Sequence, residues 1–234
     1  MRVVSLVPSA TETLRALGVE PLACTRFCEQ PGLPIVGGTK NPDVTEIVAL
    51  QPDLVVVNDE ENRAEDAKAL AAAGVELHSM SPRSVSDVGP AVTALASAIG
   101  ANVPAPFDRW EGWVAEQTAP SRASVATMVW RRPWMTMNDD TYGSSVLQLL
   151  GFENVFGADP TRYPETTLDD VAARHPDLVL LPSEPYPFTA RHVSDIEAAL
   201  PDTRVRLVDG RDLFWWGIRT PHAVGRLRER DVQP

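Results

Sequence analysis

Cysteine is almost absent: Cys24 and Cys28 are the only two in 234 residues. That excludes a disulfide framework, and two thiols alone cannot complete a tetrahedral metal site. Their C-x-x-x-C spacing also differs from the C-x-x-C of redox enzymes. Two partly buried free thiols are the favoured expectation, with a disulfide or a metal contact as lesser alternatives.

Long apolar runs are missing as well. None approaches the roughly 20 residues that a membrane-spanning helix needs, so membrane insertion is not expected. Met1-Arg2 leads directly into Val3-Val4-Ser5-Leu6-Val7, which reads as a first strand and not as a leader. Taken as written, the chain reads as cytoplasmic; with a leader removed it would be extracytoplasmic. A formal charge of −11 argues against nucleic acid as a partner, because phosphates are bound through Lys and Arg. Arg226, Arg228 and Arg230 read as the solvated face of a closing helix.

Catalytic signatures are lacking too. The sequence has no G-x-S-x-G, P-loop, G-x-G-x-x-G or H-E-x-x-H motif. His78, His175, His192 and His222 do not stand at metal-ligand spacing with one another. Without a base set beside a nucleophile, acyl transfer has no support. The expectation is a binding protein and not an enzyme.

What the chain does have is one pattern written twice. Residues 45–60, from Thr45-Glu46-Ile47 through Pro52-Asp53-Leu54 to Asn58-Asp59-Glu60, recur 124 positions later as 169–184. Each copy reads as a short helix, a Pro-Asp turn, an apolar strand and a Glu beyond the strand. A strand without alternation is one buried on both faces, as in a parallel sheet. Hydrophobic content of 44% and charged content of 23% are ordinary for a globular protein. The length suits two lobes of about 100 residues. The fold class expected is therefore α/β: two similar parallel-sheet lobes, 1–83 and 120–234, joined by a helical connector over 84–119, with a ligand crevice between the lobes.

Local signals fill in this plan. Strand 3–7 runs into Pro8-Ser9-Ala10-Thr11-Glu12, where Ser9 and Glu12 have the spacing of a capping box, and Gly18 ends the helix. Asn41-Pro42-Asp43 starts a second helix, followed by strand 54–58, a helix over 64–73 and a strand near 75–79. In the connector, Val88, Val92, Leu95 and Ile99 recur at helical spacing, and Pro104 and Pro106 break it into two helices. The second lobe reads as strand 124–130, helix 141–150, helix 167–174, strand 178–182, helix 191–199, strand 204–208 and a helix near 221–230.

Ligands of parallel sheets bind beyond the carboxyl ends of the strands. The loops there nominate Pro8, Ser9, Thr11, Phe27, Cys28, Gly38, Thr39, Asn58 and Glu60 from the first lobe. From the second they nominate Trp134, Tyr142, Glu184, Trp215, Trp216 and Arg219. Aromatic side chains suit a flat, partly apolar ligand, and Arg219 suits a carboxylate or phosphate. Each also has a plainer reading. Ser9 is a helix cap first, Glu60 and Glu184 are solvated helix starts as readily as ligand contacts, and Trp130 is a core residue. Trp215 and Trp216 are adjacent and face opposite ways, so one of them meets the ligand.

The stretch Arg2-Val3-Val4-Ser5-Leu6-Val7-Pro8-Ser9-Ala10-Thr11-Glu12, the stretch Ile47-Val48-Ala49-Leu50-Gln51-Pro52-Asp53-Leu54 and the segment from Trp130 to Met135 resemble a known family. This is the helical-backbone metal receptors, the class III solute-binding proteins of ABC importers, and the resemblance is to their cobalamin-binding branch. It implies two lobes bridged by a long helix, with a corrinoid, ferric siderophore or haem held between them. It implies no intrinsic cofactor, since such a ligand brings its own cobalt or iron, and a monomer that meets an ABC permease. It also implies one acidic docking residue per lobe. The repeat offers Glu46 with Asp170, or Thr45 with Asp169. The family's position is the latter pair, where Thr45 is not acidic. The alternative is a relative that keeps the fold inside the cell as a carrier, sensor or enzyme, with Cys28 as its reactive group.

Overall fold

The repeat builds the same sheet twice in the computed structural model, which describes Met1–Asp231. The first half runs β1 (Val3–Ser5), α1 (Pro8–Ala16), β2 (Ala23–Cys24), a hairpin of β3 (Gly37–Gly38) and β4 (Asn41–Pro42), α2 (Val44–Ala49), β5 (Leu54–Val57), α3 (Ala64–Ala72) and β6 (Leu77–Ser79). Its four-stranded sheet has the order β2-β1-β5-β6 with every pair parallel. α4 (Val85–Ile99) and α5 (Trp110–Gln117) follow. The second half runs β7 (Ala123–Thr127), β8 (Trp134–Met135), α6 (Tyr142–Leu149), β9 (Phe152–Asn154), β10 (Glu165–Thr166), α7 (Leu168–Ala173), β11 (Leu178–Pro182), α8 (Ala190–Ala199), β12 (Arg204–Val208), α9 (Gly210–Phe214) and α10 (Thr220–Arg226). Its sheet, β12-β11-β7-β9, is also wholly parallel, with β8 and β10 forming a separate antiparallel pair.

The chain thus forms two α/β units. The first contains Met1–Pro82, Asp87–Trp110 and Trp216–Arg219; the second contains Arg83–Ser86, Glu111–Trp215 and the chain from Thr220 onward. The helical stretch after residue 83 is accordingly shared. Most of α4 belongs to the first unit, where Trp110 occupies the space a Cβ on Gly89 would need and stacks on Phe107 with centroids 4.8 Å apart. Among the described residues no helix is long and apolar enough to cross a membrane.

The repeated segment takes the same elements at equivalent positions. α2 and α7 span the same positions at the 124-residue shift, capped by Asp43 and Thr167, whose side chains accept from the amides of Glu46 and Asp170. Gln51 and His175 then take the same left-handed conformation, each with φ 48°. Asp53 and Asp177 fasten each apolar strand to its neighbour: Asp53 accepts from the Arg2 amide at 2.6 Å, and Asp177 from the Ser124 amide at 2.7 Å and hydroxyl at 2.8 Å. Ile47 and its counterpart Val171 are both fully buried, each in its own apolar core.

Two local expectations are corrected. α1 begins at Pro8 with Val7 as its cap, and no side chain closes a capping box there. Proline's fixed φ suits a first helical residue, so the helix starts one residue early and Ser9 falls inside it. Strand 124–130 ends at Thr127, because the chain turns back at Arg132-Pro133 and pairs Trp130 with Met135. β2 and β9, of two and three residues, are too short to show a period in the sequence.

Candidate functional site

In each sheet the connections diverge at the centre. β1 leads outward to β2 while β5 leads the other way to β6; β7 leads to β9 while β11 leads to β12. The carboxyl ends beside such a switch point are where open α/β sheets take ligands.

In the first unit, several nominated residues are committed to the interior. Thr11 Oγ1 lies 2.8 Å from Ser5 Oγ, 2.9 Å from the Val7 carbonyl and 3.1 Å from Cys28 Sγ. Cys28 is fully buried, and Thr25 Oγ1 lies a further 3.3 Å from its sulfur. Cys24 and Cys28 are both free. Hydrogen bonds from the Cys24 thiol, and then from Thr11 and Thr25, outweigh burial and bring the Cys28 thiol down from 9.0 to about 6. The Cys24 thiol is pushed up by donating to Cys28 and by burial. Both thiols are thus wholly buried, more deeply than expected.

Asn58 is likewise held by hydrogen bonds within the unit. Its Oδ1 accepts from the amides of Glu60 and Glu61, and its Nδ2 donates to the Met80 carbonyl. Pro8 and Ser9 are buried in the first turns of α1. Thr39 is half-buried, its carbonyl taking the Asn62 amide group. Glu60 is exposed, and its carbonyl accepts from Lys40 Nζ. Phe27 stays open, at 51% exposure, with the Arg26 guanidinium 5.1 Å from its ring centroid. Gly38 adjoins that guanidinium. Arg219 is held by Glu12 through two hydrogen bonds of 2.8 Å, so its charge is already matched within the unit.

In the second unit the loops after β7 and β11 bring aromatic rings together. Trp134 stacks parallel to Phe188, with centroids 6.1 Å apart and planes 3° from parallel. Phe188 meets Tyr186 at 4.7 Å, and Tyr186 meets Trp130 edge-on at 5.4 Å. Trp130 is 41% exposed, which corrects its reading as core. His192 closes the group and accepts the Thr189 amide at Nδ1. Arg131 lies over Trp134 and pairs with Asp195 at 3.1 Å. Tyr142 is buried, with its hydroxyl 2.9 Å from Thr220 Oγ1. Trp215 is buried, as is Trp216 of the first unit. Glu184 is half-buried, 4.0 Å from Arg211.

Sequence reasoning passed over Arg26, Phe188 and His192. The signals were present: Arg26 directly precedes an exposed aromatic, and Tyr186-Pro187-Phe188 places two rings on one side of an extended loop. Among the nominated docking acids, Glu46 and Asp169 are exposed, whereas Asp170 spends its carboxylate on the Thr167 amide and hydroxyl. Among the described residues no group of three or more His, Cys, Asp or Glu is placed to hold a metal ion.

Residues 3–193 match the model of a family described as periplasmic binding protein. The chain belongs to that family. The vitamin B12-binding protein of Vibrio parahaemolyticus is 25% identical over 97% of this chain and 87% of its own length. That of Salmonella choleraesuis is 24% identical over 77% and 71%. Among solved structures, the periplasmic vitamin B12 binding protein of Vibrio cholerae superposes with a TM-score of 0.79 at 18% identity, covering 97% of this chain and 94% of that one. The periplasmic haem binding protein of the same organism gives 0.79 at 18% identity, covering 97% of each. These likenesses establish the two-lobed α/β fold of the family.

Proposed function

We propose that this protein is the solute-binding component of an ABC importer and captures a metal complex, a corrinoid first and haem or a ferric siderophore next. The observation that carries this reading is the ring cluster Trp130, Trp134, Tyr186 and Phe188 at the carboxyl edge of the second sheet. Phe188 is buried beneath, and exposed Trp130 with half-buried Trp134 and Tyr186 presents an apolar, polarisable surface of the kind a flat conjugated macrocycle covers. Phe27 is a further exposed ring, on the first unit. Family membership and relatives named for vitamin B12 support the same class of cargo. The metal arrives inside the cargo with its coordination supplied there, and the protein reads the periphery. The protein works as an extracytoplasmic monomer and meets its permease through the exposed acids Glu46 and Asp169.

Tryptophan fluorescence tests this reading. Cyanocobalamin, haemin and a ferric hydroxamate are titrated into the purified protein and into Trp130→Ala and Trp134→Ala. One probe should quench emission saturably in the wild type and bind more weakly to both variants. No saturable quenching by any of the three contradicts the proposal.

A further inference from the structure

Most arginines near the carboxyl edges are neutralised by a carboxylate: Arg219 by Glu12, Arg131 by Asp195 and Arg211 by Glu184. Arg26, in the turn that follows β2, is held in a different way. Its Nη2 donates to the side-chain carbonyl of Asn41 at 3.4 Å, and its Cζ lies 5.1 Å from the centroid of Phe27. Both residues are exposed. Gly38 completes the seat, because a Cβ there would stand 2.9 Å from Nη2 and 3.2 Å from Cζ. Two neutral groups, an amide oxygen and a ring face, therefore hold one guanidinium without cancelling its charge, and Gly38 leaves it room.

A planar fork fixed in this way is preorganised for two parallel hydrogen bonds to an anionic oxygen pair. We propose that Arg26 is the specificity-determining residue that binds an anionic oxygen group at the periphery of the cargo. Two sources share that chemistry: the phosphodiester of a complete cobalamin, and the propionates of haem. The proposal rests on the reading that this edge receives a metal complex.

Paired probes separate the sources. Dissociation constants are measured for cyanocobalamin against dicyanocobinamide, which lacks the phosphodiester, and for haemin against its dimethyl ester, which lacks free propionates. Wild type, Arg26→Gln and Gly38→Ala are compared. Arg26→Gln should weaken binding of the anion-bearing member of one pair by about tenfold or more, and its anion-free partner by less than about twofold. The pair that responds identifies the source. Gly38→Ala keeps the charge but displaces the guanidinium, and should lose the same discrimination in part. Tight wild-type binding with both members of each pair equally insensitive to Arg26→Gln overturns the Arg26 assignment alone. Absence of wild-type binding to all four probes overturns the Arg26 assignment, and absence of binding to a ferric hydroxamate as well overturns the metal-complex reading on which it rests.

Discussion

Replacing Thr11 by Val separates a structural role for this residue from a ligand-binding one. The change keeps the side chain's shape and removes its hydroxyl from the buried group formed with Ser5, the Val7 carbonyl and Cys28. A hydroxyl has one proton to give. Below pH 6 Cys28 is a neutral thiol, and the lost bond contributes about 1 kcal/mol. Above pH 6 the sulfur is anionic, the Thr11 proton points to it across 3.1 Å, and the lost bond contributes about 2 kcal/mol. The sign follows from the thiol's depressed value. Its ionisation adds stability that is complete above the unfolded value of 9.0 and is lost as pH falls through about 6. Urea unfolding under reducing conditions should therefore show a cost of about 1 kcal/mol at pH 5, rising to about 2 kcal/mol at pH 8. At pH 8 the larger cost corresponds to a melting temperature lower by about 4–8 °C for a chain of this size. Thiolate absorbance at 240 nm should show one thiol ionising near pH 6 in the wild type and later in the variant. Affinity for whichever probe binds should stay within about twofold. A cost independent of pH, or a collapse of affinity with stability intact, would refute the reasoning.

Three further outcomes follow from the same geometry. Gln51→Gly and His175→Gly relieve left-handed backbone at equivalent positions, so each should stabilise by about 0.5–1 kcal/mol in urea, with the two gains adding in the double variant. Glu12→Gln removes the carboxylate that makes two hydrogen bonds to the Arg219 guanidinium and should cost about 1–2 kcal/mol; adding Arg219→Met should recover part of that in a double-mutant cycle. The amide and hydroxyl of Ser124 hold the Asp177 carboxyl below its ordinary value, so its contribution is present above the usual carboxylate range and lost in acid. Asp177→Asn should then destabilise at pH 7 and cost little at pH 2.5, as measured by thermal unfolding at the two values.

The sequence announces what is periodic or repeated and conceals what depends on three-dimensional neighbours. The Pro52-Asp53 and Pro176-Asp177 turns, the strands beyond them and the glycine-ended helices were readable because each signal is local. The repeat also fixes topology, since two copies of one helix-turn-strand pattern yield sheets of the same strand order. The site was harder to read. Strand ends identify the right loops, but within a loop the side chain's direction decides its role, and that depends on partners far along the chain. Thr11 turns inward because Cys28 and Ser5 meet it there. Arg219 is matched because Glu12, distant in sequence, lies beside it. Trp130 is exposed because Arg132-Pro133 reverses the chain and lifts it off the sheet.

Equilibrium dialysis of cyanocobalamin against the purified protein tests the central claim most directly. Retained cobalamin should saturate at one molecule per chain and fall away in Trp134→Ala. Free equilibration of cyanocobalamin, and then of haemin and the ferric hydroxamate in the same cell, would contradict the assignment of this two-lobed fold to metal-complex capture.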